Sequence, residues 1–361
     1  MFKFGRFLLI FITISFLLEL ISFSIFKLDL LEISHTPKLY LKKGIIPNDE
    51  WWTEEKPWGA WHKSNSTTIQ KRSCYDAIYE SNEIGARDDS FMNNNINDII
   101  LIGDSFAEGY GVNLHNTSQK FIEKFTKLNV LNFGVSRNFG PLQYYIIYEK
   151  LAKKYKHKTV IIYLLPNNDF GENDYKNWQG SKRYRPYYKY IDNNSYEIFI
   201  PENSIKNYIS KTRKIKKIFK NYFWTSNLFI NIDYNYRVYR SKKKNISNNF
   251  SGYFDSSVEQ QKAAIFFLDK IINNKSLKVI LVSIPRPSDY NRLMNGSKLE
   301  NIYWNKYFSN KDSANKNFKF IDLILYKPKN LNEIYLKCDG HWSPKGNLWA
   351  AKIISKHLNK N

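Results

Sequence analysis

Asp98-Ile-Ile-Leu-Ile-Gly-Asp-Ser-Phe-Ala-Glu-Gly-Tyr-Gly111 is the stretch on which the fold turns. Residues 99–102 form an apolar run too short for a helix and read as a buried strand. Gly103 and Asp104 break the run and deliver Ser105 at the strand's end. In an open α/β sheet the chemistry sits at that edge. A serine on a tight turn there exposes its hydroxyl and has backbone N–H groups beside it. Gly-Asp-Ser alone also fits a polar loop or a helix N-cap, so Ser105 needs partners elsewhere.

Working outward, the same rhythm recurs. The pattern predicts helix over residues 117–128, strand over 130–133, an amphipathic helix from Gly140-Pro141 to about Tyr155, and an apolar strand over 159–165. It resumes with helix over 258–272, strand over 277–284, strand over 318–321 and a closing helix after Ser343-Pro-Lys. Apolar strands alternating with helices predict a three-layer α/β fold, a flavodoxin-like parallel sheet with helices on both faces. Residues 171–255 break the rhythm. They carry a Tyr-rich hairpin pattern about Asn193-Asn194 and a basic segment over residues 211–220, and read as an inserted lid.

Upstream, residues 7–26 match the roughly 20 residues needed to cross a bilayer. Fifteen of them are Leu, Ile or Phe. At about −0.3 to −0.6 kcal/mol each, these outweigh the roughly +2.5 to +3.5 kcal/mol that Glu19 costs near the centre. A long apolar core without an Ala-x-Ala-like site favours an uncleaved anchor over a cleaved signal peptide. Lys3 and Arg6 precede the span, but Lys27, Lys38, Lys42 and Lys43 follow it, so charge counting does not orient it. The order of basic start then apolar run favours a single-pass protein with its later residues on the extracytoplasmic side. The expected organisation is an anchor over 1–27, a Trp-rich extension over 28–98, and a catalytic domain over 99–361 with the insertion 171–255. Trp51, Trp52, Trp58 and Trp61 have two readings, a platform for stacking sugars and the cover of a core edge.

The 361 residues carry a formal net charge of +22. The lysines are scattered and no nucleic-acid-binding signature appears, so nucleic acid is not an expected partner. The charge fits a lysine-coated surface or one facing an anionic polymer or membrane. Neither a cofactor nor a metal is expected, since no His, Asp or Glu cluster has ligand spacing. Cys74 and Cys338, the two cysteines, are either a disulfide formed in an oxidising compartment or two buried thiols.

A nucleophilic serine needs a base, a residue that orients the base, and donors for the oxyanion. His341 sits in Cys338-Asp-Gly-His-Trp before the last helix, with Asp339 two residues earlier to hold its Nδ1. Gly134 ends the second strand and Asn168 follows the third. These residues resemble the SGNH (GDSL-type) hydrolase superfamily. Gly103-Asp-Ser105 matches its first block, Asn132-Phe-Gly134 its second, Asn168-Asp169 its third and Asp339-Gly-His341 its last. Pro166 stands where the third block usually has Gly, and Cys338 where the commoner last block has Asp. Asp-x-His-Trp also occurs in members that acetylate envelope polysaccharides, in a different chain order.

The resemblance implies an acyl-Ser105 intermediate, with His341 as general base, Asp339 as its orienting partner, and Ser105, Gly134 and Asn168 as oxyanion donors. Asp104 is expected to stabilise the turn. The implied activity is a serine esterase on O-acyl, above all O-acetyl, esters of a cell-envelope glycan or similar polymer. An O-acyltransferase fed by a membrane acyl-donor partner and a non-catalytic glycan-binding module are the alternatives.

Overall fold

The computed structural model describes residues 2–28, 30–31, 37–72, 74–192, 195–243 and 250–358. It opens with an apolar helix, α1 (Phe2–Lys27). Its Phe4–Lys27 part has the length and mean hydropathy, 2.4, of a membrane span. Five short strands follow: β1 (Ile45–Ile46), β2 (Trp52–Lys56), β3 (Gly59–His62), β4 (Thr67–Arg72) and β5 (Tyr75–Glu80). β1 lies parallel to β4, β4 antiparallel to β5, and β2 and β3 form a hairpin. The chain turns after β5 at Asn82, whose side-chain oxygen accepts the N–H groups of Ile84 and Ala86. Trp51, Trp58 and Trp61 are buried, which corrects the sugar-platform reading and leaves them as core cover. Trp51 stacks on His62 at 4.1 Å.

The body of the molecule then alternates as the sequence pattern predicts. β6 (Ile99–Ile102), α2 (Ser105–Glu108), α3 (Ser118–Thr126), β7 (Val130–Asn132), α4 (Pro141–Lys150), β8 (Thr159–Leu164) and α5 (Pro166–Glu172) come first. The hairpin β9 (Tyr187–Tyr190) and β10 (Tyr196–Phe199) follows, then α6 (Lys211–Tyr222), α7 (Trp224–Lys243), α8 (Gly252–Asp255) and α9 (Val258–Ile272). β11 (Lys278–Ser283), α10 (Pro287–Met294), α11 (Tyr303–Ala314), β12 (Phe318–Asp322), α12 (Leu331–Ile334) and α13 (Pro344–Leu358) complete it.

The five core strands are all parallel, in the order β12-β11-β8-β6-β7. Counted along the chain this is the order 2-1-3-4-5 of flavodoxin-like sheets. Strand alternation divides the core. Ile100, Ile102, Leu131, Ile162 and Leu281 face the layer of α4, α9 and α11. Ile99, Leu101, Val130, Ile161 and Ile280 face α3 and α13. Both faces are covered, which is why these strands are apolar throughout. Each such side chain, fully buried, contributes about 1.5–3 kcal/mol.

The stretch 171–255 has its own attachments. The proposed hairpin tip at Asn193-Asn194 lies outside the described residues, as do residues 244–249. Tyr188 of β9 packs on Leu142 of α4 and Ala263 and Phe267 of α9, while the start of α7 packs on α1. These contacts make the stretch a flank of the sheet domain and of the N-terminal helix.

Candidate active site

Ser105 and Asn168 lie just past the ends of core strands, and Asp339 and His341 lie in the loop between α12 and α13. Asp104 caps the short helix α2, its carboxylate accepting the Phe106 N–H at 2.9 Å, and this turns the chain sharply at Ser105. Gly103 is required for the turn: a Cβ there would lie 2.8 Å from the Ala107 Cβ and 2.9 Å from the Tyr163 Cβ. The expected role of Asp104 as a turn residue is thus the one its contacts describe. Burial pushes its carboxyl up to about 6, against the Phe106 N–H and the nearby charges of His341 and Arg286.

Ser105, His341 and Asp339 come together across 236 residues of chain. Ser105 Oγ is 2.7 Å from His341 Nε2, and His341 Nδ1 is 2.5 Å from Asp339 Oδ1. With the Nδ1 proton shared toward Asp339, Nε2 is left as an acceptor for the serine proton. Asp339 Oδ1 also accepts the His341 N–H at 3.2 Å, fixing the Asp-x-His turn. Burial alone would raise the Asp339 carboxyl, but the hydrogen bonds and charge of His341, with Arg72 nearby, hold it below the ordinary range. The imidazole is walled by Phe106 and Tyr110, with ring centroids at 5.0 and 4.4 Å.

The His341 loop is tied down on three sides. Leu336 N–H donates to the His341 carbonyl at 2.8 Å, Tyr335 OH donates to the Pro285 carbonyl at 2.6 Å, and Cys338 is joined to Cys74 by a disulfide. The two cysteines are therefore paired, linking the turn between β4 and β5 to the residue beside Asp339. The Arg286 guanidinium lies against Gly340, where a Cβ would come within 2.3 Å of it.

The expected oxyanion donors divide. Ser105 stands at the start of α2 and Asn168 in the first turn of α5, at the ends of β6 and β8. These adjacent strands flank the point where the sheet order reverses. Gly134 is a correction. Its N–H donates to Asn132 Oδ1 at 2.8 Å, so it is already committed. Gly134 is needed for packing, since a Cβ would lie 2.3 Å from the Glu108 N.

The ladder itself names a substitute. Phe133 N–H donates to the Leu101 carbonyl and Val135 N–H to that of Gly103. The same register extended by two residues would set the Arg137 N–H opposite Ser105, and this N–H takes no acceptor among the described residues. The backbone turns away at Arg137 and Asn138 with φ of 111° and 62°, values non-glycine residues adopt rarely and at a cost. The Glu108 carboxylate accepts the N–H and hydroxyl of Ser136 and so holds this turn from below. Sequence reasoning missed Arg137, Glu108 and Arg286. The first two leave no local signal, whereas Ile284-Pro-Arg-Pro287 at the end of a core strand was a loop worth marking.

Among the described residues no group of three or more His, Cys, Asp or Glu is arranged to hold a metal ion. No family model matches the chain, and no curated protein matches it. Solved structures do. A lipolytic protein of the G-D-S-L family from Desulfitobacterium hafniense matches at 14% identity and TM-score 0.39, over 73% of this chain and 99% of its own. A lipase/acylhydrolase from Enterococcus faecalis matches at 13% identity and TM-score 0.39, over 73% and 95%. Over nearly three quarters of its length the chain is similar to solved G-D-S-L lipolytic proteins. A GDSL-like lipase from Bacteroides thetaiotaomicron, at 14% identity and TM-score 0.35, covers the same share of this chain and 88% of its own.

Proposed function

We propose that this chain is a serine esterase of the SGNH type. The observation that carries the reading is the continuous chain Ser105 Oγ–His341–Asp339 at 2.7 and 2.5 Å. Ser105 Oγ attacks the carbonyl carbon of an acyl ester while its proton passes to His341 Nε2. The tetrahedral oxyanion is met by the N–H groups of Ser105 and Arg137 and by the Asn168 side-chain amide. Each such donor contributes about 3–4 kcal/mol to the barrier reduction. The imidazolium, stabilised by Asp339, gives its proton to the departing alkoxide, and the alcohol leaves. Water, deprotonated by His341, then attacks the acyl-Ser105 carbonyl, and the acid and the free serine are regenerated.

The substrate we assign is an O-acyl, above all O-acetyl, ester on a cell-envelope glycan. The apolar helix α1 supports a site held at a membrane, and the disulfide supports an oxidising, extracytoplasmic compartment. The division into anchor, Trp-rich extension and catalytic domain belongs to this proposal. Transfer of the acyl group to a glycan hydroxyl uses the same intermediate with a different acceptor. Full-length protein in detergent, given an aryl acetate with and without oligosaccharide, separates the outcomes. Turnover abolished by Ser105→Ala is the expected result. Acetyl appearing on the oligosaccharide would make the enzyme a transferase, and turnover that survives Ser105→Ala would overturn the proposal.

A further inference from the structure

α6 is built the wrong way round for the surface of a soluble domain. Its sequence, Lys-Thr-Arg-Lys-Ile-Lys-Lys-Ile-Phe-Lys-Asn-Tyr, places Ile215, Ile218, Phe219 and Tyr222 at i, i+3, i+4 and i+7, a single helical face. A helix covering a core turns that face inward. Here Ile215, Ile218, Phe219 and Tyr222 are 56%, 55%, 52% and 43% exposed, and Phe223 just beyond is 45% exposed. The inward side is polar: Lys217 pairs with Asp49 and Glu50 at 3.5 and 3.2 Å, and Asn221 is buried. Six of the twelve residues are Lys or Arg and none is acidic.

The chain passes directly from this helix into α7, whose start packs on the N-terminal helix. The N–H groups at the start of α7, of Trp224 and Thr225, donate to the Glu19 carboxylate at 2.5 and 3.0 Å, and the Thr225 hydroxyl donates to it at 2.8 Å. The one acidic residue of the apolar helix thus serves as the cap of α7. Trp224 packs on Phe23 and Phe26, with centroids at 5.7 and 5.5 Å. α7 in turn leaves Phe229, Ile232 and Tyr236 exposed. The apolar surface of α1 and the outward faces of α7 and α6 therefore lie along one connected flank.

We propose that α6, with the outer face of α7, is a second membrane-contact element that lies in the headgroup layer of a bilayer containing anionic phospholipid. The apolar stripe enters the acyl boundary and the exposed Lys211, Arg213, Lys214 and Lys216 meet lipid phosphates. A high-moment helix with a basic polar face has this behaviour, and an apolar patch rimmed by basic residues marks a contact surface. The lipid surface is the occupant because the patch is joined to a helix with the length of a membrane span and its charge complements anionic headgroups. The inference rests on reading residues 4–27 as that span. Fixed at two points, the body is held in one orientation over the membrane.

The test uses full-length protein in vesicles of phosphatidylcholine and phosphatidylglycerol, with the native cysteines paired. An environment-sensitive fluorophore is placed by Ile218→Cys, Phe219→Cys, Ile12→Cys or Ile198→Cys in separate proteins, and lipids brominated in their acyl chains are the quencher. Strong quenching at 218, 219 and 12, and none at 198, is expected. Quenching at 218 and 219 no greater than at 198, with 12 quenched, overturns the proposal and leaves the span standing; no quenching at 12 removes the span itself. Each basic residue near an anionic surface changes the docking equilibrium by roughly fivefold. The triple change K211Q/K214Q/K216Q, or pure phosphatidylcholine, therefore lowers quenching at 219, whereas quenching indifferent to both overturns the assignment to anionic lipid.

Discussion

α13 and α6 are both lysine-rich amphipathic helices, and they do opposite things with the same pattern. α13 presses Ala350, Ala351 and Ile354 onto the sheet and buries them completely, whereas α6 turns its Ile and Phe stripe outward. Periodicity fixes that a helix has an apolar face but not what lies opposite it. α13 follows α12 and has the parallel sheet as its neighbour. α6 sits in the stretch between the hairpin and α7, where the neighbours are Asp49, Glu50 and, through α7, the N-terminal helix. One helix closes the sheet domain, and the other, on our proposal, meets the lipid.

If the two regions have separate tasks, variants at the sheet edge must change turnover and variants on α6 must not. The largest effect belongs to Ser105→Ala, which should lower kcat on an aryl acetate by roughly four to six orders of magnitude without shifting the melting temperature. Asn168→Ala should lower kcat by about 10²–10³ with little change in KM, as for loss of an oxyanion donor; an equal rise in KM with kcat intact would make Asn168 a simple binding residue. Cys74→Ser should cost about 2–5 kcal/mol in chemical denaturation and lower turnover further by loosening the Cys338–His341 loop. Full activity and stability in that variant would deny the cross-link a part in holding the site. A smaller effect concerns pH. The folded carboxyl of Asp104 titrates at about 6 against an ordinary 3.8, so its protonated form adds stability below about pH 4 that is lost as pH rises to about 6. Asp104→Asn keeps the acceptor for Phe106 N–H and should flatten that decline, read as a melting temperature less dependent on pH across this window. Ile218→Asp with Phe219→Asp should leave turnover of a soluble ester unchanged, which sharpens the division between the two helices.

The sheet domain was legible because its signals are local. Residues 99–102, buried on both faces, have no polar residue to interrupt them, and the helix over 258–272 is bounded by an N-cap serine, whose hydroxyl accepts the Gln260 N–H. Ser105 was legible at a strand end, and His341 and Asp339 as a base and its partner in the loop before the closing helix. What stayed hidden depends on side chains folding back from a distance. Nothing in Asn132-Phe-Gly134 says that the Asn132 amide will take the Gly134 N–H. Glu19 was likewise readable only as a cost to insertion, because its partners at Trp224 and Thr225 lie more than two hundred residues away. The tryptophans had two readings since composition does not say which side of a strand faces water.

The central claim is that Ser105 is a nucleophile made reactive by His341 and Asp339. Its most direct test is labelling of the folded full-length protein with a fluorophosphonate, followed by peptide mass mapping. The account predicts one adduct, on Ser105, that is absent in Ser105→Ala and forms far more slowly in His341→Ala. A folded protein that takes no label, or takes it on another residue, would contradict it.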